Sequence, residues 1–345
     1  MPSSRVATYL VVGALALMVG ACAPPPPAEP EDFRMGEDIR TTEMLAHRVE
    51  VLDDSLGLTL PVLIRAVPGG YLVTDPRASD LVELTPELRV RRRLAGRGSG
   101  PGEMTGPALL SRSGPRIGVH DYNTARVLLF DVESRAYVGV VNLGDASPTP
   151  DGLALLPDGT VLVLAPDSVA LMRVVGRDGS RPFGVLPAEL QSLRAENTGV
   201  PAALVLVGVT ATEAVIFEQR SGTFLTYDLA TGDLVGRASL PVALWSPLVA
   251  DIDRMYPTRP VWLLASTFLV KDADLQPPAT VLLLARGPDF FGLAIDLETR
   301  VVRRLMSDDP DTATLLANAG SATLHGDTLT ALSNSEIVQV RLRLE

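Results

Sequence analysis

Phe130-Asp131-Val132-Glu133-Ser134-Arg135 leads into Tyr137-Val138-Gly139, and the same figure returns twice further along the chain. Tyr227-Asp228-Leu229-Ala230-Thr231-Gly232 leads into Leu234-Val235-Gly236, and Ile295-Asp296-Leu297-Glu298-Thr299-Arg300 leads into Val301-Val302. Each reads as a strand, an Asp-led hairpin turn and a returning strand. An aspartate carboxylate accepts the backbone N–H groups that such a turn leaves open, which accounts for these residues without catalysis. Weaker counterparts stand at Leu84-Thr85-Pro86-Glu87, Gly176-Arg177-Asp178-Gly179 and Ser333-Asn334-Ser335-Glu336. The landmarks 84, 131, 177, 228, 296 and about 335 are spaced by 47, 46, 51, 68 and 39 residues.

A period of about 45–50 residues made of strands alone corresponds to one four-stranded blade per repeat. Working outward, short β-branched runs bounded by turn residues recur from about residue 58 onward, among them Gly70–Asp75, Arg116–Asp121 and Ala214–Glu218. The expected fold is therefore all-β: a six-bladed β-propeller of four-stranded antiparallel blades over residues 41–345. The long interval is assigned to an insertion between Leu244 and Pro278, within which the apolar run Val261–Val270 reads as a buried strand. The last unit offers three strands, 321–325, 328–333 and 336–344. A fourth must come from the other end of the chain to remove the open edge, and the alternating His47-Arg48-Val49-Glu50-Val51-Leu52 is the expected donor. No amphipathic helix of four turns is expected; Glu189–Ala195 offers one short helical turn.

The N-terminus carries an address. Arg5 precedes an uncharged apolar run, Val6 to Val19, and then Gly20, Ala21 and Cys22. The run is too short for a spanning helix, which needs about 20 residues, and fits an export signal of residues 1–21. Val19-Gly20-Ala21-Cys22 resembles the lipobox of bacterial lipoproteins, which implies lipid on Cys22, the only cysteine of the chain. The proline run Ala23-Pro24-Pro25-Pro26-Pro27-Ala28-Glu29-Pro30 opens a tether over 22–40 and spans roughly 20–30 Å as a stiff extended segment. The chain is thus expected in the bacterial cell envelope, anchored to a membrane through Cys22, and Ala23 in place of Asp points to the outer membrane.

Composition limits the partners. The 345 residues carry 30 basic and 41 acidic side chains, a net charge of −11, and Lys271 is the only lysine. An acidic surface repels phosphate polymers, so nucleic acid is not expected as a partner.

Leu94-Ala95-Gly96-Arg97-Gly98-Ser99-Gly100-Pro101-Gly102-Glu103-Met104, followed by Arg116-Ile117-Gly118-Val119-His120-Asp121 and then Arg126-Val127-Leu128-Leu129-Phe130-Asp131, resembles the linker and strands of an NHL-type repeat. It is similar to bacterial six-bladed propeller lipoproteins in which a Gly-Pro-Gly-Glu motif joins early blades. Asp75 matches the strand-end aspartate of the first blade, but Asp80 stands where the arginine belongs. The resemblance implies a fold; propellers host enzymes, receptors and scaffolds alike.

Candidate sites follow from residue chemistry. The glycine-rich stretch lacks the Gly-Lys-Ser/Thr of a P-loop and is followed by strand, so it reads as a linker between blades. His47, His120 and His325 share no spacing that would hold zinc or haem. His120 and Asp121, at a strand end, are candidates to face the central channel. Trp245 and Tyr256 flank the insertion and are candidates for a binding face, whereas Trp262 reads as core. Asp308-Asp309-Pro310-Asp311 and Asp251 with Asp253 read as solvated acidic loops, because neither carries the Asp-x-Asp-x-Asp-Gly calcium pattern. No cofactor is expected, although calcium ligands drawn singly from several blades would leave no spacing signal. Arg89, Arg91, Arg92, Arg93 and Arg97 form a basic patch, read as an outer strand whose charge discourages edge pairing. No Gly-x-Ser-x-Gly elbow occurs. The expected function is a binding or scaffolding module for a protein, peptide or glycan. The alternative is a hydrolase or lyase with a metal in the central channel.

Overall fold

The computed structural model describes residues 30–35, 40–45, 57–146, 152–165, 170–188, 204–255, 269–276, 279–285, 291–307, 309–333 and 336–342. They form six blades of antiparallel strands in a ring. Blade 1 is Leu63–Val67, Gly70–Asp75, Asp80–Leu84 and Val90–Ala95; blade 2 is Pro107–Ser113, Arg116–Asp121, Arg126–Asp131 and Tyr137–Asn142. Blade 3 is Leu153–Leu155, Val161–Leu164, Met172–Gly176 and Gly179–Phe183; blade 4 is Leu204–Val209, Glu213–Glu218, Thr223–Asp228 and Leu234–Ser239. Blade 5 is Val270–Gln276, Thr280–Ala285, Phe291–Asp296 and Val301–Ser307, and blade 6 begins with Ala319–His325, Thr328–Ser333 and Glu336–Leu342.

The Asp-led hairpins join the third and fourth strands, as their sequence demands. Asp131 Oδ1 accepts from Glu133 N (3.1 Å) and Ser134 N (2.7 Å), Asp228 Oδ1 from Ala230 N (2.9 Å) and Thr231 N (2.8 Å), and Asp296 Oδ1 from Glu298 N (3.0 Å) and Thr299 N (2.8 Å). The landmark near 335 is out of phase: it falls between the second and third strands of blade 6, which is why its interval is short. The third strand of that blade ends at Leu342, 46 residues after Asp296, and so restores the period.

Closure comes from the N-terminal side. Strand β1 (Glu31–Arg34) runs parallel to Leu234–Ser239, the outer strand of blade 4. Strand β2 (Arg40–Leu45) runs parallel to the outer strand of blade 5, and its last two residues, Met44 and Leu45, pair antiparallel with Leu342 and Arg341, so the chain passes onto the open edge of blade 6. His47–Leu52 lies outside the described residues. All of these strands lie within residues 31–342, so a chain lacking its first 27 residues keeps the whole ring and its own closing strand.

Six apolar clusters fill the six seams between neighbouring blades. Cluster membership follows the alternation of side chains along each strand: Ile117 and Val119 pack towards blade 1, while Val127 and Leu129 pack towards blade 3.

Among the described residues two α-helices accompany the strands, and the first corrects the expectation of no four-turn helix. Helix α1 (Val242–Met255) runs four turns in the insertion despite Pro247 in its interior, and buries Leu244, Trp245 and Leu248 in the seam between blades 4 and 5. Pro241 and Pro247 hide it in the sequence; burial of one apolar face outweighs the poor propensity. Helix α2 (Pro310–Ala317) begins inside the stretch read as an acidic loop. Asp309 is its N-cap, accepting from Thr312 N at 2.9 Å, and Pro310 occupies the first turn, where its missing N–H costs nothing. Glu189–Ala195 and residues 261–268 lie outside the described residues; Val270 opens the inner strand of blade 5.

Candidate functional site

Each blade places its first strand against the axis, and together these strands enclose a channel of about 670 Å³. An inner strand presents an unpaired edge, and its N–H groups need acceptors. Side chains from the neighbouring blade supply several of them. Ser111 of blade 2 accepts from Leu155 N of blade 3 (2.9 Å), Gln219 of blade 4 from Val270 N of blade 5 (2.9 Å), and Asp272 of blade 5 from Ala322 N of blade 6 (3.0 Å). Ser321 and Thr323 of blade 6 accept from Ile64 N and Ala66 N of blade 1, both at 3.1 Å.

The polar side of the wall lies on blades 5, 6 and 1. Arg65 reaches past blade 6 to grip Asp272 with two parallel hydrogen bonds, Nη2 to Oδ1 at 2.7 Å and Nη1 to Oδ2 at 2.8 Å, and its Nε lies 3.4 Å from Asp274 Oδ1. Asp272 also accepts from Ser321 Oγ (2.8 Å), and Asp274 from Thr323 Oγ1 (2.7 Å) and the Gln276 amide. Burial pushes the Asp274 carboxyl up; Arg65 and the Thr323 hydroxyl pull the other way and Asp272 adds to the rise, leaving it above its ordinary value. Lys271 donates from Nζ to the Ala317 carbonyl. Blades 2 to 4 give the wall a more apolar side, including Leu109, Leu206, Val207 and Val209, together with Arg112. Sequence reasoning missed this set. Lys271-Asp272-Ala273-Asp274 does not look like a strand, and Arg65 is more than two hundred residues from its carboxylates.

The residues singled out in the sequence stand elsewhere. His120 is in the second strand of blade 2, away from the channel wall and 2% exposed. Its Nδ1 has no hydrogen-bond partner, and its ring meets Tyr122 edge-on at 6.2 Å. Burial lowers its pKa to about 4, against an opposing pull from Asp121. Asp121 is a tie between loops: it accepts from Gly106 N (2.9 Å), Thr105 N (3.2 Å) and Thr124 Oγ1 (2.7 Å), and pairs with Arg126 (3.2 Å). Arg126 in turn donates to the carbonyls of Ser99 (3.1 Å) and Glu103 (3.2 Å), which fixes the Gly-Pro-Gly-Glu linker. Gly102 takes φ +77° there, where a side chain would be strained. Asp75 does the same work in blade 1, accepting from Leu60 N (3.1 Å) and Ala78 N (3.0 Å), while Asp80 pairs with Arg93.

Trp245 is 1% exposed; its indole N–H donates to the Gln219 carbonyl at 2.7 Å and its ring packs edge-on against Phe217. Tyr256, Trp262, His47 and Cys22 lie outside the described residues. The basic patch is the outer strand of blade 1, as expected, but its charge is used internally: Arg91 and Arg92 pair with the buried Glu83 at 3.3 and 2.6 Å, and Arg135 of blade 2 joins them at 3.1 Å. Asp251 pairs with Arg254 on α1. Among the described residues no three His, Cys, Asp or Glu side chains converge as a metal site. No described helix is long and apolar enough to cross a membrane.

The two ends of the ring differ. Within a blade the chain crosses four times, so the hairpins joining strands one to two and three to four share one end. The linkers between blades, with α1 and α2, share the other. Leu60, Val62, Tyr122, Val185 and Val242 are exposed apolar side chains at the linker end, 38–74% open; Val90, Val138, Val235 and Met306 are on outer strands.

No protein-family model and no curated protein matches the sequence. Solved structures match the fold. A candidate exported protein from Bacteroides fragilis NCTC 9343 is similar at 12% identity and a TM-score of 0.52, over 91% of this chain and 99% of that one. A streptogramin B lyase is similar at 10% identity and a TM-score of 0.50, over 85% of this chain and 97% of that one. At these identities the likeness is one of fold.

Proposed function

We propose that this chain is a lipid-anchored envelope protein whose propeller binds a protein or peptide partner with the linker end of the ring. The observation that carries the reading is the placing of Leu60, Val62, Tyr122, Val185 and Val242 on that one end. Apolar side chains on the loops of a rigid ring suit partner binding. The anchor supports the same orientation. Strand β1 runs parallel to the outer strand of blade 4, so it travels from the hairpin end to the linker end and the chain before it meets the ring at the hairpin end. Lipid on Cys22, joined by the proline run, turns the hairpin end to the membrane and the apolar loops outward. An NHL-like repeat, read from the linker motif, fits the Asp121–Arg126 tie. A metal-dependent hydrolase or lyase in the channel would require Asp272 and Asp274 to leave Arg65.

The test uses the full chain in cells, with a photo-crosslinking amino acid at Tyr122, at Val242, or at Ala230 in an exposed hairpin of the opposite end. Adducts with another protein from the first two positions and none from the third are expected. Adducts from Ala230 alone, or from no position, would overturn the reading.

A further inference from the structure

The channel reads as a second binding site, independent of the linker end. Among the described residues its wall carries three cations, Arg65, Arg112 and Lys271, against two carboxylates, Asp272 and Asp274, inside a chain whose net charge is −11. The two carboxylates are spent on Arg65. Lys271, across the ring from Arg112, is tied to the Ala317 carbonyl.

Arg112 is different. It stands near the end of the inner strand of blade 2, exposed, and its side chain makes no hydrogen bond or ion pair with any described residue. Partial desolvation and, after it, the like charge of Arg135 hold the Arg112 guanidinium below its ordinary value. Arg135 is itself buried and committed to Glu83, with Nη1 left without a hydrogen-bond partner. An arginine on a channel wall, with no carboxylate of its own, is stabilised by an anion from outside. Leu109 on the same strand, and Leu206 and Val207 on the inner strand of blade 4, also line the channel. The volume, about 670 Å³, is that of a small-molecule pocket.

We infer that the channel binds a small amphipathic monoanion, its carboxylate or sulfonate on Arg112 and its apolar body against blades 2 to 4. A planar guanidinium takes two oxygens of such a head side by side, with stronger bonds than a neutral group can make.

Calorimetry on the chain from Ala28 onward tests this with 2-naphthoate and its neutral isostere 2-naphthamide. The parent is expected to bind the anion at least about tenfold more tightly than the amide, the worth of one charge-assisted contact. Arg112→Gln removes that preference and leaves the melting temperature unchanged, because Arg112 holds nothing in the fold. Arg112→Lys, which keeps charge and loses the fork, retains part of it. Binding of neither ligand by the parent, equal binding of both, or an undiminished preference in Arg112→Gln would overturn the inference. None of these results bears on crosslinking from the linker end.

Discussion

The seam between blades 4 and 5 and the seam between blades 6 and 1 perform the same task with opposite materials. Among the described residues the first buries nineteen apolar side chains, including Trp245, Phe217 and Phe224, with Leu244 and Leu248 of α1 among them. Among the described residues the second buries eight, of which Leu332 and Ile337 come from blade 6. What the second lacks in apolar contact is made up near the axis. Ser321 and Thr323 take the backbone N–H groups of blade 1, and Arg65 crosses blade 6 to the carboxylates of blade 5. This is the side where the ring closes and where blade 6 draws on both ends of the chain. Hydrogen bonds and a bidentate ion pair demand one register, whereas apolar contact tolerates several. The lesson is that the join uses directional contacts where register has to be fixed and apolar volume where the chain already fixes it.

The largest effect should come from removing the joining strands. A chain beginning at residue 46 loses β1 and β2, and so uncovers the outer strands of blades 4 and 5 and the Arg341–Leu342 end of blade 6. Aggregation, or loss of a single cooperative melting transition, is expected by calorimetry and light scattering against the chain from Ala28. An unchanged cooperative melt would mean that the ring does not depend on its N-terminal strand, and the contrast between the seams would lose its reason.

A smaller effect sharpens the contrast within the intact ring. Arg65→Met leaves Asp272 and Asp274 facing each other without their cation, and loss of one partner of a buried pair costs about 3–5 kcal/mol. Adding Asp272→Asn and Asp274→Asn should recover most of that, since asparagine can still accept from Ser321 and Ala322 through its amide oxygen. Denaturant melts of the single and triple variants decide it. No recovery in the triple variant would show that Arg65 acts by packing its stem rather than by its charge.

How far the sequence reveals these features depends on whether the causes are local. The hairpins at Asp131, Asp228 and Asp296 were legible because a turn aspartate bonds to residues two and three ahead of it. The tie of Asp121 to Arg126 was legible as a motif for the same reason, although its work is to hold a linker rather than to face the channel. Arg65 and Asp272 were not legible, since their pairing spans 207 positions and exists only once the ring has formed. Helix α1 was hidden because its stability comes from a seam made by blades 4 and 5, against the advice of two prolines. Trp245 stood out as a rare aromatic, but only the fold shows that its indole is buried.

Acid should separate the two sides of the ring by the least costly route. His120 follows Ile117 and Val119 by alternation on the face turned from blade 1, and so it lies towards the apolar seam with blade 3. Its folded pKa of about 4 lies below the 6.5 of an open chain, so the unfolded chain binds a proton first as pH falls. Stability from this group is complete above pH 6.5 and is lost between 6.5 and 4. A difference of that size is worth about 3 kcal/mol. Asp274 has the opposite sign: its carboxyl sits above its ordinary value, so the fold holds that proton more tightly and gains as pH falls through this value. Glu83 and Asp121 sit below their ordinary values and give up stability only under more acid conditions, below the range of an unfolded carboxylate. The parent chain minus His120→Leu, compared by denaturant melts from pH 7.5 to 4, therefore isolates the imidazole. The parent should lose about 3 kcal/mol relative to the variant across that range. Parallel curves would place the imidazole in contact with water, and the acid sensitivity of the ring would then rest on its carboxylates.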